Sequence, residues 1–409
     1  LPNVLYPYQE EGRDYLAANR RAYLGDDPGL GKTVQAAVAA QVVGAQRPLV
    51  ICPAIARATW RRIWPQWCGV PLSVWSYDQV RNHAPPRHDL LILDEAHYCA
   101  HTSAKRTHAA LLLANRASRV WLLSGSPARN HVGELYPALR AVWPDLLDGA
   151  MPYERFLERF CQTVPTRWGL KVVGVKDRGG LCTILSRIML RRRLQDVDLE
   201  LPPLRWEQTD LEIGEAEREE LRESLEGLPE YRRLCELLAA GELPDEGEMA
   251  TVRRYVGIMK AEPVAELVRE VLDGDLTRKV VVMAYHRDVI ELLRAHLSDY
   301  EPVVIHGGTS QRAREAAESN FQHAACNRVF IGQTTAAGQA ITLTAGNEII
   351  IAEPAWSPED MRQAVKRIHR IGQTRACRAR VCVLPGTIDE AVERVRLRKL
   401  RNLGEVISL

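Results

Sequence analysis

Eight residues, Asp26-Asp27-Pro28-Gly29-Leu30-Gly31-Lys32-Thr33, have the form of a phosphate cradle running into a helix. Gly29 and Gly31 let the backbone curl until its N–H groups point at phosphate oxygens. Lys32 reaches the outer phosphates, and the Thr33 hydroxyl can hold Mg²⁺. The Ala- and Val-rich helix that follows, Val34 to about Gln46, turns its positive end toward the anion. Asp26 stands where the general pattern carries Gly. Alone, the motif says that Asp27 and Gly29 to Thr33 bind a nucleoside triphosphate. The plain alternative is a Gly-containing turn before an ordinary amphipathic helix.

Two further stations narrow the chemistry. Asp89-Leu90-Leu91-Ile92-Leu93 reads as a buried strand, with Asp94-Glu95-Ala96-His97 at its end. There Asp94 can bind a metal, directly or through water, while Glu95 orients or deprotonates an attacking water. Many such acidic pairs merely cap helices; the cradle upstream favours the catalytic reading. Far downstream, Ser357-Pro358-Glu359-Asp360 reads as a helix start with Ser as N-cap, Pro at the first position and an acid at the third. Gln363, Arg367 and Arg370 follow at i, i+4 and i+7, one face of that helix. Two arginines aimed from one lobe at phosphates held by another stabilise charge in a phosphoryl-transfer transition state. A surface helix with ordinary arginines is the alternative. Together the stations imply an ATP-driven motor on nucleic acid.

The elements that must hold these residues read as two lobes. Over residues 20–125 short apolar runs alternate with helical patterns, with strands expected at Pro48–Cys52, Leu72–Trp75, Leu90–Leu93 and Val120–Leu123. That is the rhythm of a parallel sheet, in which function sits at strand carboxyl ends. The cradle, Asp94-Glu95 and Ser124-Gly125-Ser126-Pro127 all fall there. From Tyr136 to Leu190 the pattern turns helical and irregular, ending in Arg191-Arg192-Arg193, and Leu201-Pro202-Pro203 breaks the chain. Residues 210–247 are acidic with helical character, a solvated helix face. A second rhythm places strands at Lys279–Ala284, Pro302–Ile305, Val329–Gly332, Ile349–Ala352 and Arg380–Leu384. The expected fold class is α/β, two RecA-like parallel-sheet lobes with helical insertions between the lobe cores. Lobe 1 is expected at 1–205 with an insertion at about 136–190. Lobe 2 is expected at 206–409, preceded by the acidic helical segment at about 210–262, with a nucleotide site in the cleft between the lobes.

Composition sets limits. A chain of 409 residues has room for two cores. Lys+Arg of 54 against Asp+Glu of 52 leaves it nearly neutral, so any case for nucleic acid rests on local patches. Nine Cys without a Cys-x-x-Cys pair argue against a zinc or disulfide framework. No apolar run reaches the ~18 residues of a membrane span, and no signal peptide is visible. Beginning at Leu1, the chain reads as an excised core. Trp60, Trp64 and Trp67 have helical spacing, which Pro65 is expected to interrupt; core packing fits them better than base stacking.

With these residues in place, the chain resembles the Swi/Snf-type ATPases of helicase superfamily 2, double-stranded DNA translocases with two RecA-like lobes. Leu5, Pro7-Tyr8-Gln9 and Gly12 resemble the family's adenine-contacting segment, which implies Gln9 as reader of the base. The family also commonly carries an acid at the Asp26 position. Ile51-Cys52-Pro53 and Ser76-Tyr77 resemble DNA-facing segments, and Ser124 to Pro127 the motif coupling hydrolysis to DNA. Arg191-Arg192-Arg193 with Leu201-Pro202-Pro203 resembles the exit from the first lobe; Gly307 to Thr309, Thr335 to Leu343 and Gln363 to Gln373 complete the set. The resemblance implies a catalytic group of Lys32, Asp94, Glu95, Gln363, Arg367 and Arg370, with Thr33 and Asp94 on Mg²⁺. It implies DNA contacts at Pro53, Ser76, Tyr77, Arg192, Thr309 and Thr335. Ala336-Ala337-Gly338-Gln339 and Ala352-Glu353 look most like the annealing-helicase branch. Ala340 replaces a usual Gly and Leu194 a usual Lys, which puts a close loop approach and one basic contact in question.

The implied function is an ATP-dependent double-stranded DNA translocase using ATP and Mg²⁺. It would act as a monomeric core on double-stranded or branched DNA, remodelling or reannealing branched DNA, with no membrane and no protein partner named by the sequence. Its setting would be prokaryotic or phage cytoplasm at the nucleoid, or the nucleus if eukaryotic. A strand-separating helicase on DNA or RNA and a DNA-binding scaffold with weak ATPase are the alternatives.

Overall fold

The computed structural model describes residues 4–149, 151–166, 169–197, 201–239, 246–334, 341–355, 357–394 and 396. The chain divides into two compact units, changing over between Leu199 and Glu200.

In the first unit, β1 (Arg21–Leu24), β2 (Pro48–Cys52), β3 (Ser73–Ser76), β4 (Leu90–Asp94), β5 (Arg119–Leu123) and β8 (Met189–Leu190) form one parallel sheet in the order β3-β2-β4-β5-β1-β8. Its strands read as unbroken apolar runs because both faces are covered. Leu49, Ile51, Leu91, Leu93, Val120 and Leu122 enter one core. Their neighbours Val50, Cys52, Leu90, Ile92, Trp121 and Leu123 enter the other, as the two-residue period of a strand requires. The four strands expected in this lobe are present to within a residue at each end.

The second unit repeats the plan. β9 (Leu204–Asp210), β10 (Val280–Ala284), β11 (Val303–Ile305), β12 (Val329–Gln333), β13 (Glu348–Ile351) and β14 (Cys377–Val383) form a parallel sheet in the order β11-β12-β10-β13-β14-β9. Val280, Val282, Ile331 and Ile350 face one core, and Val281, Met283, Phe330 and Ile349 the other. The chain is thus two parallel-sheet α/β lobes.

The structure adds elements that the sequence pattern hides. β9, with sequence LRWEQTD, lies at a sheet edge with most side chains in solvent, so it shows no apolar run. The stretch from Tyr136 to Leu190, expected to be helical and irregular, also contains an antiparallel hairpin, β6 (Cys161–Thr166) with β7 (Gly169–Val175). The acidic segment folds as helices Glu215–Glu226, Pro229–Ala239, Glu246–Met259 and Ala261–Asp273. These are more than solvated faces: Leu221, Leu225, Leu234, Met249, Val252 and Val256 join the core shared with β10 and β12. The helix Arg57–Trp67 runs through Pro65 instead of breaking there. The N–H that Pro65 lacks would have met the carbonyl of exposed Arg61, which water can satisfy, and Cys68 N donates to Trp64 O at 2.9 Å to close the last turn. Among the described residues no helix is long and apolar enough to cross a membrane.

Candidate nucleotide site

The phosphate loop leaves β1 and enters the helix Lys32–Val42. Gly29 (φ 100°) and Gly31 (φ 76°) hold left-handed conformations that favour glycine. A Cβ on Gly31 would also sit 2.4 Å from the Gln9 amide nitrogen. That nitrogen donates to Leu30 O at 3.2 Å, and Gln9 Oε1 accepts from Tyr6 N at 3.2 Å. Gln9, expected to read the base, therefore props the loop from behind. Lys32 Nζ donates to the carbonyls of Asp26 (2.6 Å) and Asp27 (3.3 Å), within the cradle itself. Thr33 is half-buried at the head of the helix. The Asp27 carboxylate accepts from Leu194 N at 3.3 Å and lies 3.7 Å from Arg191 Nη2, so Leu194 serves this loop through its backbone.

Asp26, where the general motif has Gly, is fully buried and held by Arg192. Arg192 Nε meets Asp26 Oδ1 at 3.0 Å and Nη2 meets Oδ2 at 2.6 Å. Nη2 also donates to Gln35 Oε1 at 3.0 Å, and Nη1 donates to Glu11 Oε2 at 3.0 Å and to Tyr8 O. All five guanidinium donors are engaged inside the lobe. Arg192, expected at DNA, is placed in the interior, where it ties the lobe exit to the phosphate loop and the Gln9 helix.

Asp94 ends β4, and Glu95 follows in a left-handed conformation (φ 52°) that costs a non-glycine residue strain. Asp94 Oδ2 accepts from the Trp60 indole N–H at 2.7 Å, and Oδ1 from Glu95 N at 3.1 Å. The Tyr77 hydroxyl donates to Asp94 O at 2.9 Å. Burial, reinforced by the Glu95 charge, pushes the Asp94 carboxyl up to about 7, while the Trp60 N–H and Lys32 pull it back. His97 Nδ1 is 2.9 Å from Ser124 Oγ and 3.3 Å from Glu95 Oε2, and Ser124 Oγ is 3.4 Å from that same oxygen. The acidic pair is therefore wired to Ser124-Gly125-Ser126-Pro127. Burial, then the Arg129 charge, holds His97 down at about 3, so it is neutral near neutral pH.

A hydroxyl and a carboxylate, both hard oxygen donors, suit Mg²⁺. A buried carboxyl raised by a neighbouring carboxylate is a place where a cation relieves repulsion. Thr33 and Asp94 are donors of the kind the ion takes.

The expected DNA-facing positions sit differently. Pro53 is buried behind a short turn whose Ala56 N donates to its carbonyl at 2.9 Å. Ser76 is buried and caps the helix Tyr77–Asn82, its Oγ accepting from Gln79 N at 3.2 Å. Tyr77 is buried and stacked on Tyr98, ring centroids 5.2 Å apart. Of the three, Tyr77 alone reaches the acidic pair, through its bond to the Asp94 carbonyl. In the second unit Thr309 is half-buried, and its hydroxyl accepts from His306 N at 3.0 Å. Thr335 and Ala336 to Ala340 lie outside the described residues.

The helix that was to carry Gln363, Arg367 and Arg370 on one face is shorter than expected, Pro358–Val365. Arg367 N and Ile368 N bond back three residues, to Ala364 O and Val365 O, and Arg367 O accepts from Leu343 N, which turns the chain away. Ser357 holds the N-cap position without a side-chain cap bond. The two arginines still converge: Arg367 Nη1 and Arg370 Nη1 lie 3.5 and 3.4 Å from Ile341 O, and Arg370 Nη1 is 3.1 Å from Thr342 Oγ1. Gln363 is buried. Gln373 locks the turn, its amide nitrogen near Thr344, Gly346 and Ile368 carbonyls at 2.9–3.1 Å. Glu353 accepts from Tyr285 N, His286 N and His286 Nδ1 at 2.6–2.9 Å, joining the ends of β10 and β13. Sequence spacing gave no hint of the Trp60, Tyr77 and Arg192 roles, since each partner lies on a separate element.

Comparison with known proteins agrees. The SNF2-related domain matches residues 74–227 and the helicase conserved C-terminal domain residues 262–372. The Xenopus tropicalis SWI/SNF-related matrix-associated actin-dependent regulator of chromatin subfamily A-like protein 1 is 26% identical over 99% of this chain and 45% of its own length. Its Caenorhabditis elegans homolog is 28% identical over 98% of this chain and 62% of its own length. The Mus musculus DNA annealing helicase and endonuclease ZRANB3 is 26% identical over 100% of this chain and 41% of its own length. The chain thus spans about half the length of the curated relatives it matches. A solved Sulfolobus solfataricus SWI2/SNF2 ATPase core in complex with dsDNA is 20% identical, with 100% of this chain and 98% of that chain covered and a TM-score of 0.45. The chain belongs to the SNF2-related, Swi/Snf-type ATPases of helicase superfamily 2.

Proposed function

We propose that this chain is a DNA-dependent ATPase that translocates on double-stranded DNA and acts on branched DNA. The observation that carries the reading is that the glycine-bearing loop and the Asp94-Glu95 pair both stand at the carboxyl end of one parallel sheet, the loop after β1 and the pair closing β4. That supports one site for the cradle and the acidic pair. Lys32 and the loop N–H groups would hold the phosphates, and Glu95 would orient or deprotonate the attacking water. Thr33 and Asp94 would hold Mg²⁺, which would supply positive charge to the phosphates. Arg367 and Arg370 would stabilise the charge that builds in the transition state, with Gln363 beside them. For the DNA, support comes from relatives named as an annealing helicase and a chromatin regulator. Phosphate contacts would let the lobes move along a duplex without reading sequence. Genomic DNA as substrate would place the chain in a nucleus or at a nucleoid.

The test is steady-state ATP hydrolysis at fixed low salt with no nucleic acid, single-stranded DNA, duplex DNA, forked DNA and duplex RNA. Stimulation by duplex or forked DNA is expected. Stimulation by RNA or single strands alone would point to a strand-separating helicase, and DNA binding without stimulation to a scaffold.

A further inference from the structure

We infer that Trp60 is a positioning residue for Asp94, its indole N–H setting the carboxylate in the orientation in which Asp94 takes Mg²⁺. The inference rests on the ATPase reading above and goes beyond it in naming what aims the carboxylate. A buried indole N–H needs an acceptor, and a backbone carbonyl is the ordinary one. Trp64 uses Val70 O at 2.8 Å, and Trp121 uses Asn19 O at 3.1 Å. Trp60, 1% exposed, instead meets the Asp94 carboxylate at 2.7 Å. A bond to a carboxyl oxygen fixes the direction of the side chain as well as its distance.

The indole itself is held. Trp60 lies on the helix Arg57–Trp67, and its ring packs at 6.1 Å from that of Trp64, whose own N–H is engaged. Tyr77, on the helix after β3, fixes the Asp94 carbonyl from a second element. Side chain and backbone of Asp94 are thereby held by two different helices. One bond on Oδ2 from Trp60 and one on Oδ1 from Glu95 N leave each oxygen a further lone pair for a metal or its waters.

Trp60→Phe removes the N–H and keeps a ring. Calorimetric binding of ADP, with and without graded Mg²⁺, should show metal-free affinity within about two-fold of the parent chain. The Mg²⁺ needed for half-maximal enhancement should rise about ten-fold. The indole ¹H–¹⁵N resonance of Trp60, identified as the peak missing from Trp60→Phe, should shift in Asp94→Asn and on Mg²⁺ addition to the parent chain. An unchanged Mg²⁺ requirement, a resonance indifferent to Asp94→Asn, or equal loss of metal-free and Mg²⁺-dependent binding would overturn the assignment; the last would mean packing alone. A parent chain whose ADP binding ignores Mg²⁺, while the resonance still answers to Asp94→Asn, would instead sink the ATPase reading.

Discussion

Asp26 and Asp94 both lie at the carboxyl end of the same sheet, one just after β1 and one closing β4, yet they live in opposite environments. Asp26 is gripped by a bidentate guanidinium whose remaining donors are also engaged. Its charge is answered within the fold, which makes it architecture. Asp94 has a second carboxylate beside it and one indole N–H on its outer oxygen, and burial raises its proton affinity. Its charge is left to be answered by something that arrives. Burial alone does not separate a structural acid from a functional one; the sign of the nearest neighbour does.

The comparison can be broken at either end. On the functional side, Glu95→Gln should lower turnover about 10²–10⁴-fold while keeping ATP affinity; near-normal steady-state hydrolysis would move the base elsewhere. On the architectural side, Arg192→Ala leaves the Asp26 charge uncompensated and should cost about 3–5 kcal/mol in urea unfolding. Arg192→Lys should rescue little of that, since three donors replace five in a fork. Unchanged stability with weakened DNA binding would return Arg192 to a DNA-contacting role.

Arg370→Ala tests the proposed part of Arg370 in hydrolysis. Hydrolysis should fall about 10²–10³-fold with ATP affinity kept within a few-fold, and unchanged turnover would remove Arg370 from the mechanism.

The smallest effect is on pH dependence. Folded Asp94 keeps its proton up to about 7, whereas the unfolded chain releases it near about 4, so this group makes stability fall as pH rises between those values. Folded His97 refuses its proton until about 3, whereas the unfolded chain takes it near about 6.5, so this group makes stability fall as pH drops through that window. Relative to the parent chain, Asp94→Asn should therefore remove a decline in stability between about pH 4 and 7, and His97→Asn should remove a rise between about pH 3 and 6.5. Each slope is at most ~1.4 kcal/mol per pH unit. Thermal melts across pH that superimpose on those of the parent chain would show neither group to be desolvated.

Much of the site was legible before folding because it is local. A cradle needs Gly29 and Gly31 two residues apart, and an acidic pair needs only the end of an apolar strand; both are contiguous in the chain. The central strands of both lobes were visible for the same reason, since burial on two faces writes an apolar run, whereas the short β1 and β8 and the exposed edge strand β9 were not. What was not legible depends on partners far apart. Arg192 and Asp26 are 166 residues apart, and Trp60 and Asp94 are 34 apart. Ser76 and Tyr77 have residue types suited to DNA, and only the folded chain shows Ser76 capping the helix Tyr77–Asn82 and Tyr77 bonded to the Asp94 carbonyl. The helix after Ser357 has the right pattern to continue, but the bond from Leu343 N to Arg367 O stops it. The sequence by itself determined the phosphate loop, the acidic pair and the two α/β rhythms, because backbone conformation and side-chain period are set by near neighbours. Tertiary structure alone decided which charges are answered inside the fold, because that depends on which strands lie side by side.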